Sequence, residues 1–517
     1  MTIDHNAIGQ HNRNNEGVIL SSLKQKVVHG FFWAFMERLG TQGVSFVVSL
    51  VLARLLTPSD YGTIALLSIF LAISGVLASS GFGSALVQKK DATELDFNSV
   101  FYISIVLSSI MYGALFCVAP WIAQFYNTPE LCIFTRLLGL NLIVSAINGI
   151  QSAELSRKLL FHLSFRISLI GSLVTPCVGI PLAYLGYGAW ALVWSSMAGA
   201  VVGTVTRWYF IAWRPAWMFS WASVRTLFSF GWKMVISALL DTGYNNLYGL
   251  LIGRFYSKDE LAFVNKGRSV PQLAMDTINS TLGGVAFPAL AQVQDRRERV
   301  RDTMRRMMTM STFLVFPLMV GCALCAPVLF PLLFGEQWVP AVPYAQLACL
   351  SFALWPFHTI NLQGIMALGR SDLFLGLEII KKIVGLTMLL IAIPYGVFWM
   401  MALGAFVSSP LSVIINAWPN RRLLNYSIGM QIRDVLPTAM LCGVMAIVIY
   451  PLRWCPLPGW GIVLAQTSLG TTVFFVLAWW FRLAPMREFA SLALPVIATH
   501  TPRFFRSVLD AFGNRLK

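Results

Sequence analysis

Charged residues are scarce in this sequence. Aspartate, glutamate, lysine and arginine make up 12% of its 517 residues, whereas 57% are hydrophobic and the mean hydropathy is +0.69. A soluble domain carries about 25% charged residues, so this composition excludes a water-soluble globule of the same length. The sequence indicates an all-α integral membrane protein, because a segment that crosses a bilayer satisfies its own backbone hydrogen bonds as a helix.

Other features that the sequence lacks narrow the class of membrane protein. Residues 1–26 contain no apolar core, so we expect no cleavable signal peptide. The eight cysteines are scattered, and Cys322 and Cys325 form a CxxC only inside an apolar helix, where we expect packing rather than a metal or redox site. No connection is long enough for a soluble domain, and no loop carries paired carboxylates for a metal-bound nucleotide sugar. We therefore expect no metal, no organic cofactor and no enzyme such as a membrane polysaccharide polymerase.

The apolar runs between polar breaks predict about fourteen transmembrane helices, since a span needs about 20 mostly apolar residues. The seventh and eighth runs contain several polar residues. The predicted spans lie near residues 31–55, 61–82, 98–123, 131–151, 164–185, 187–211, 227–253, 261–290, 308–333, 341–368, 372–394, 396–418, 434–452 and 458–481.

The placement of lysine and arginine predicts the orientation. With the N-terminus inside, the even-numbered connections and the two termini hold 28 of these bases, and the odd-numbered connections hold only Arg54, Arg254, Lys258 and Arg453. An excess of positive charge marks cytoplasmic loops, so both termini are predicted to be cytoplasmic. The net charge of +16 then reflects attraction to anionic lipid of the inner leaflet, and no nucleic-acid partner is expected.

The C-terminal tail is predicted to lie on the membrane surface. Its last residues place an apolar face on one side of a helix and charged residues elsewhere, which is typical of an interfacial helix. The apolar positions are Phe504, Phe505, Val508, Leu509 and Phe512.

A short pattern occurs twice, six predicted spans apart. The stretch VLARLLTPSDYG begins at residue 51 and LIGRFYSKDELA begins at residue 251, so that Arg54 aligns with Arg254 and Asp60 with Glu260. Six is an even number of spans, so the two halves enter the membrane in the same direction. This arrangement predicts two six-helix bundles related by a parallel pseudo-two-fold repeat, a framework used for alternating access.

The repeat and the spans together predict the domain organisation. Two additional transmembrane helices follow the second bundle. The predicted segments are a cytoplasmic N-terminus (1–26), the N-terminal bundle (27–211), a cytoplasmic linker (212–226), the C-terminal bundle (227–420), the two additional helices (421–482) and a cytoplasmic amphipathic tail (483–517).

Three long stretches resemble a known family. They are LKQKVVHGFFWAFMERLGTQGVSFVVSLVLARLLTPSDYG, FPALAQVQDRRERVR and ALGRSDLFLGLEIIKKI. They are similar to the polysaccharide transporter family of the multidrug/oligosaccharidyl-lipid/polysaccharide exporter superfamily, in particular to colanic-acid-type exporters, over about residues 20–430. The resemblance implies a Wzx-type flippase in the bacterial inner membrane, which moves undecaprenyl-pyrophosphate-linked oligosaccharide for exopolysaccharide or O-antigen synthesis. Membrane lipids and a polysaccharide polymerase or export machinery are the implied partners.

Charged residues inside spans are costly and are functional candidates by default. The bases are Arg38, Arg136, Lys266, Arg268, Lys381 and Lys382. A pyrophosphate is best matched by cations, above all by arginine forks. The resemblance implies that spans one, two, seven and eight line the central cavity, which favours Arg38, Arg268 and Lys266 as substrate-binding residues. The alternative for each is an ion pair or a side chain that reaches to the membrane surface.

The intramembrane acids are Glu37, Asp241, Asp276 and Glu378. Each is a candidate for coupling transport to H⁺ or Na⁺. The alternative for Asp241 and Asp276 is neutralisation of a neighbouring base, and Glu378 can pair with Lys381 or Lys382 along its own helix. An ion-coupled drug or cation antiporter of the same superfamily is the alternative function, but it favours an acid-rich cavity, whereas these spans hold six bases and four acids.

Overall fold

The computed structural model describes residues 36–37, 40–79, 81–89, 91–158 and 160–490. All regular secondary structure in these residues is helical. The first helices are α1 (Gly40–Leu55), α2 (Pro58–Ala65), α3 (Ser68–Ser79), α4 (Phe82–Gln88), α5 (Glu94–Phe125), α6 (Glu130–Arg157), α7 (Phe161–Tyr184), α8 (Ala189–Phe210) and α9 (Trp221–Phe255). The later ones are α10 (Lys258–Ala291), α11 (Arg297–Phe334), α12 (Val342–Ala353), α13 (Trp355–Ala367), α14 (Ser371–Ala392), α15 (Val397–Leu403), α16 (Ser409–Leu423), α17 (Ile428–Ile449) and α18 (Gly459–Trp480).

Helices lie where the spans were predicted. In the described part of the chain, ten helical segments are long and apolar enough to cross a membrane, which confirms the class of all-α membrane protein. The other four predicted spans correspond to α1, which is shorter, and to α9, α10 and α14. These last three carry most of the intramembrane charges named above. The number of crossings stays a prediction.

By packing, the chain divides into two compact units, residues 1–261 and 262–517. The predicted boundary between the bundles was the linker 212–226, but α9 packs along α3, α4 and α5 and so belongs to the first unit. The contact with α4 is close, because a Cβ on Gly81 would lie 2.7 Å from the carbonyl oxygen of Gly231. The bundle limits and the pseudo-two-fold repeat stay predictions.

Two helical hairpins build much of the first unit. Helix α5 packs along α6, and α7 packs along α8. The turn between α5 and α6 uses Asn127 at φ 52°, and the turn between α7 and α8 uses Gly186 at φ 81°, a conformation that asparagine and glycine adopt most readily. Small residues let α7 and α8 approach closely, since a Cβ on Gly199 would lie 2.7 Å from Oγ1 of Thr175 and 3.3 Å from the carbonyl oxygen of Gly171.

The repeated sequence pattern marks two similar helical corners. Helix α1 ends one residue after Arg54 and α9 ends one residue after Arg254, and in both cases the next helix begins three residues after that end. The Thr57 hydroxyl caps α2, and the amide of Glu260 donates to the Ser257 hydroxyl at 3.1 Å. A hydroxyl residue that caps a helix, with an acidic residue three positions later, is a capping signal. Thus Asp60 and Glu260 align because both occupy this position.

Helix α11 is the centre of the second unit and contacts α12, α13, α17 and α18. The two additional helices, α17 and α18, pack on it through a core that contains Phe313, Met445 and Phe474. Residues 484–490 form a further helical turn that returns to this core, where the Phe489 ring lies 5.6 Å from that of Phe475. The predicted interfacial helix around residues 504–512 lies outside the described residues.

A π-helical turn, Gly404–Ser408, joins α15 to α16. After this turn, α16 places two buried amides against α13. The Nδ2 atom of Asn416 lies 3.2 Å from Nδ1 of His358, and Asn420 donates to Oδ1 of Asn361 at 2.8 Å. A π turn inserts one extra residue into a helix and is frequent at functional sites.

Candidate functional site

The Glu37 carboxylate is held by two serines of α7. Its Oε1 atom accepts hydrogen bonds from the hydroxyls of Ser164 at 2.9 Å and Ser168 at 2.7 Å. Residues four apart lie on the same face of a helix, so one turn of α7 supplies both donors. The side chain of Glu37 is half-buried. This predicted coupling acid therefore belongs to a polar site inside the first unit.

A polar cavity of about 500 Å³ lies beside these serines, between α6, α7 and α8. Helix α6 contributes a polar stripe at intervals of three and four residues, as one helical face requires. Glycines of α6, α7 and α8 form much of the remaining wall. The polar lining residues are Asn141, Ser145, Asn148, Ser152, Ser168 and Arg207.

The cavity is lined by a cation, neutral amides and hydroxyls, and the Glu37 carboxylate is bound to one of its lining serines, Ser168. The Arg207 guanidinium donates to the Ser152 hydroxyl and lies within electrostatic range of Glu37. The Asn148 amide donates to the Thr204 hydroxyl at 2.8 Å. The Oδ1 atoms of Asn141 and Asn148 are buried and have no hydrogen-bond partner among the described residues. A buried acceptor without a donor is costly, so these two oxygens present unmet hydrogen-bonding capacity.

Sequence reasoning missed Arg207 because it was assigned to a cytoplasmic connection. Its side chain instead lines the cavity. The signal that could have identified it is its helical position, since Ala200, Gly203 and Arg207 share one face of α8. The small residues Gly203 and Ala200, one and two turns before Arg207, leave space for the long arginine side chain.

Lys266 is enclosed by aromatic rings in the second unit. Only 6% of its surface is exposed, and its Nζ atom lies 4.6 Å from the ring centroid of Phe334 and 5.1 Å from that of Trp338. The helix comes this close because it carries glycine next to the lysine: a Cβ on Gly267 would lie 2.7 Å from the carbonyl oxygen of Ala341. Cation–π attraction therefore stabilises Lys266 in place, and a role in substrate binding stays a prediction.

The other two predicted substrate ligands are Arg268 and Arg38. Arg268 belongs to the same helix as Lys266, but the helix does not bring the two side chains together. Arg268 lies two residues further along α10 and is half-buried; two positions correspond to a rotation of about 200°, so the two bases leave the helix in different directions. Arg38 lies outside the described residues, and its role stays a prediction.

The other predicted acids occupy different settings. Asp241 is exposed on α9 and Asp276 is half-buried on α10. Glu378 forms an ion pair with Lys381, with 2.5 Å between Oε1 and Nζ, as the spacing on α14 allowed. His358 of α13 lies within electrostatic range of Lys381. Among the described residues, no three histidine, cysteine or acidic side chains group into a metal site.

Two characterised relatives show what the chain is similar to. It is 23% identical over 437 residues to the teichuronic acid biosynthesis protein TuaB of Bacillus subtilis, which covers 83% of this chain and 90% of that protein. It is 25% identical over 320 residues to the succinoglycan biosynthesis transport protein ExoT of Rhizobium meliloti, which covers 62% of this chain and 65% of that protein.

Two solved structures share the fold. The lipid II flippase MurJ in an inward closed conformation superposes with a TM-score of 0.68 at 11% identity, over 88% of this chain and 99% of that one. An inward-facing multidrug resistance MATE transporter of the MOP superfamily superposes with a TM-score of 0.56 at 14% identity, over 74% of this chain and 94% of that one.

A family model supplies the remaining comparison. The model for polysaccharide biosynthesis proteins matches residues 51–343, which is more than half of the chain and extends from α1 into α12. The match includes α6, α7 and α8, which form the polar cavity, and Lys266 with its aromatic neighbours. The chain therefore belongs to the polysaccharide biosynthesis protein family.

Proposed function

We propose that this protein is a flippase that moves an undecaprenyl-pyrophosphate-linked oligosaccharide across the bacterial inner membrane, for exopolysaccharide or O-antigen synthesis. The observation that carries the proposal is the family match, together with relatives whose names state teichuronic acid biosynthesis and succinoglycan transport. The fold shared with a lipid II flippase agrees with it. ExoT is named as a transport protein and MurJ as a flippase, in agreement with the prediction that the chain is not an enzyme.

The antiporter alternative has weaker support. The multidrug transporter shares only the fold with this chain. The family and both relatives, in contrast, concern polysaccharides. A flippase for a polysaccharide precursor therefore accounts for more of the observations than a drug or cation antiporter.

The proposal includes an orientation and a set of substrate ligands. The distribution of lysine and arginine supports a multi-pass inner-membrane protein with both termini in the cytoplasm. Arg38, Arg268 and Lys266 are the proposed ligands of the pyrophosphate, since they are bases within spans that the family resemblance assigns to the central cavity. A polysaccharide polymerase or the export machinery is the proposed protein partner.

Glu37 is the proposed coupling acid, with H⁺ as the coupling ion. Its two partners are hydroxyls, which can donate to a carboxylate and can also accept from a protonated carboxyl group. Protonation therefore leaves both contacts in place. Glu378 is paired with a lysine cation instead, and its protonation would break that ion pair.

A deletion strain tests the function. Without this protein, lipid-linked repeat units are expected to accumulate on the cytoplasmic side, where a membrane-impermeant label added to intact cells cannot reach them. Complementation with the full chain restores labelling. If the repeat units in the deletion strain are labelled as in the wild type, the flippase proposal is wrong.

Single substitutions test the ligands. Losing one desolvated, charge-assisted hydrogen bond costs about 1.5–3 kcal/mol, so Arg38→Ala and Arg268→Ala are expected to slow export about tenfold or more. Lysine at either position should restore part of the rate, because it keeps the charge but lacks the bidentate fork. Arg453→Ala is the matched control, since Arg453 is exposed beside Trp454. Normal export by both alanine variants at normal protein levels would remove these two arginines from the site.

A further inference from the structure

We propose that the polar cavity between α6, α7 and α8 binds a sugar residue of the transported oligosaccharide. This inference rests on the proposed flippase function and adds a separate subsite to it. The pyrophosphate is assigned to Arg38, Arg268 and Lys266; among the described residues, Arg268 and Lys266 do not line this cavity, and Arg38 lies outside the described residues.

The hydrogen-bonding groups of the cavity suit hydroxyl groups. Two asparagine oxygens require donors, the Arg207 guanidinium offers donors, and the serines do both. A sugar hydroxyl donates one hydrogen bond and accepts others, so a single ring can satisfy groups of both kinds. The two asparagine oxygens are shielded in this conformation, so a sugar hydroxyl reaches them once the asparagine side chains rotate, and the hydrogen bond it then donates relieves a desolvation cost.

The charge of the cavity favours an uncharged ligand. Arg207 and Glu37 lie within electrostatic range of each other, and together they are neutral when Glu37 is ionised. The guanidinium in the lining would repel a metal cation, and because Glu37 offsets its charge the pair offers a phosphate little net attraction. A neutral, hydroxyl-bearing group needs no net charge in the cavity and can form hydrogen bonds with Arg207 and with the serines that line it.

The size and the depth of the cavity agree with this ligand. Its volume of about 500 Å³ lies within the range of about 300–1,000 Å³ that is usual for small-molecule pockets. Ser152 lies five residues before the end of α6, Arg207 three before the end of α8, and Ser168 seven after the start of α7. In the predicted orientation these three helix ends face the cytoplasm, which is the side from which the precursor enters.

The glycines of α8 leave the space open on one side. A Cβ on Gly203 would meet no atom of the described residues within 4 Å, although Gly203 lines the cavity. A larger side chain there would occupy the cavity without first colliding with the backbone. Gly203→Leu is therefore a steric block that is independent of the polar groups.

The test compares two probes on the full chain in lipid nanodiscs. One probe is undecaprenyl pyrophosphate, and the other is the same carrier with the oligosaccharide isolated from the deletion strain. The wild type is expected to bind the glycosylated carrier at least tenfold more tightly. In Asn141→Ala/Asn148→Ala, and separately in Gly203→Leu, the two affinities should come within threefold, because the affinity for undecaprenyl pyrophosphate does not change. Gln124→Ala, which removes an exposed amide at the far end of α5, should keep the wild-type difference.

Each other outcome overturns the inference. If Gly203→Leu keeps the tenfold preference, the sugar is held elsewhere, even where the double asparagine variant fails to fold. If both probes weaken equally in both variants, the cavity does not distinguish sugar from carrier. If Na⁺ alone, rather than the oligosaccharide, protects the cavity from a cysteine reagent in Asn148→Cys, the cavity is a cation site. A wild type that binds neither probe contradicts the proposed flippase function itself. If the wild type binds both probes and both variants keep its preference for the glycosylated carrier, only the sugar subsite is contradicted.

Discussion

Gly62 lies directly against the backbone of Lys258: a Cβ placed on Gly62 would be 2.0 Å from the Lys258 carbonyl oxygen. These residues belong to the two helical corners that repeat in the sequence, α1–α2 and α9–α10. Gly253 extends the contact, because its Cβ would lie 2.2 Å from Cδ2 of Leu66. The two corners therefore pack on each other, and glycine is required where they are closest.

Gly62→Ala is expected to destabilise the protein. Overpacking of this kind costs about 1–3 kcal/mol, and the atom it meets is backbone, which cannot rotate away. Gly203→Ala is the matched control, because its Cβ enters open space and alanine is favoured over glycine in a helix by about 1 kcal/mol. Thermal unfolding in detergent should give a lower midpoint for Gly62→Ala and an equal or higher one for Gly203→Ala; equal midpoints for Gly62→Ala and the wild type would contradict the contact.

The corners show what could be predicted from the sequence. Local signals were sufficient to align Arg54 with Arg254 and Asp60 with Glu260, because helix ends and caps depend on neighbouring residues. The contact between Gly62 and Lys258 could not be predicted, since it joins residues almost two hundred positions apart. For the same reason the packing of α9 on α3, α4 and α5 could not be predicted, because it leaves no local pattern.

Lys266 and Phe334 are expected to be energetically coupled. A cation over an aromatic face contributes about 0.5–2 kcal/mol. The loss of unfolding free energy caused by Phe334→Leu should therefore be larger by that amount in the wild-type background than in the Lys266→Met background. Phe313→Leu, in the same helix but in the core with Phe474, should be additive with Lys266→Met. The free energy of unfolding of the single and double variants measures the coupling, and additivity for the Phe334 pair would show that the ring does not hold the cation.

Glu37→Gln is expected to remove the dependence of transport on a proton gradient. The amide keeps the shape and can still accept from Ser164 and Ser168, but it cannot take up a proton. Transport into liposomes should rise severalfold with an imposed pH gradient for the wild type and should not respond for Glu37→Gln. Glu378→Gln is the control that should still respond, and a normal response of Glu37→Gln would move the coupling ion to another acid.

Both chain termini are expected to face the cytoplasm. Reporter fusions after residues 92, 292 and 517 should show a cytoplasmic location, and a fusion after residue 127, in the turn between α5 and α6, should show an external one. An external signal at residue 517 would require an odd number of spans and would contradict the fourteen-span topology.

The candidate site was only partly accessible from sequence. Glu37 was identified because a carboxylate in an apolar span is conspicuous by itself. Arg207 and the asparagines of α6 were not identified. In the sequence, an arginine near a helix end cannot be told from a loop residue, and neutral amides cannot be told from residues that only pack against a neighbouring helix. Arg207 and these asparagines come together only because α6, α7 and α8 meet around a cavity, which is a property of tertiary structure.

The π-helical turn Gly404–Ser408 has a consequence for sequence changes in α16. An α-helix rotates by about 100° per residue, and the wider turn accommodates one extra residue without passing that rotation on to α16. Deleting Val407, whose side chain is partly exposed, would therefore let α15 and α16 continue as one regular helix with Asn416 still facing His358 and Asn420 still facing Asn361. A residue deleted from the regular part of α16 before Asn416 has no such turn to absorb it, so it would rotate both asparagines away from α13, which no single substitution there can do.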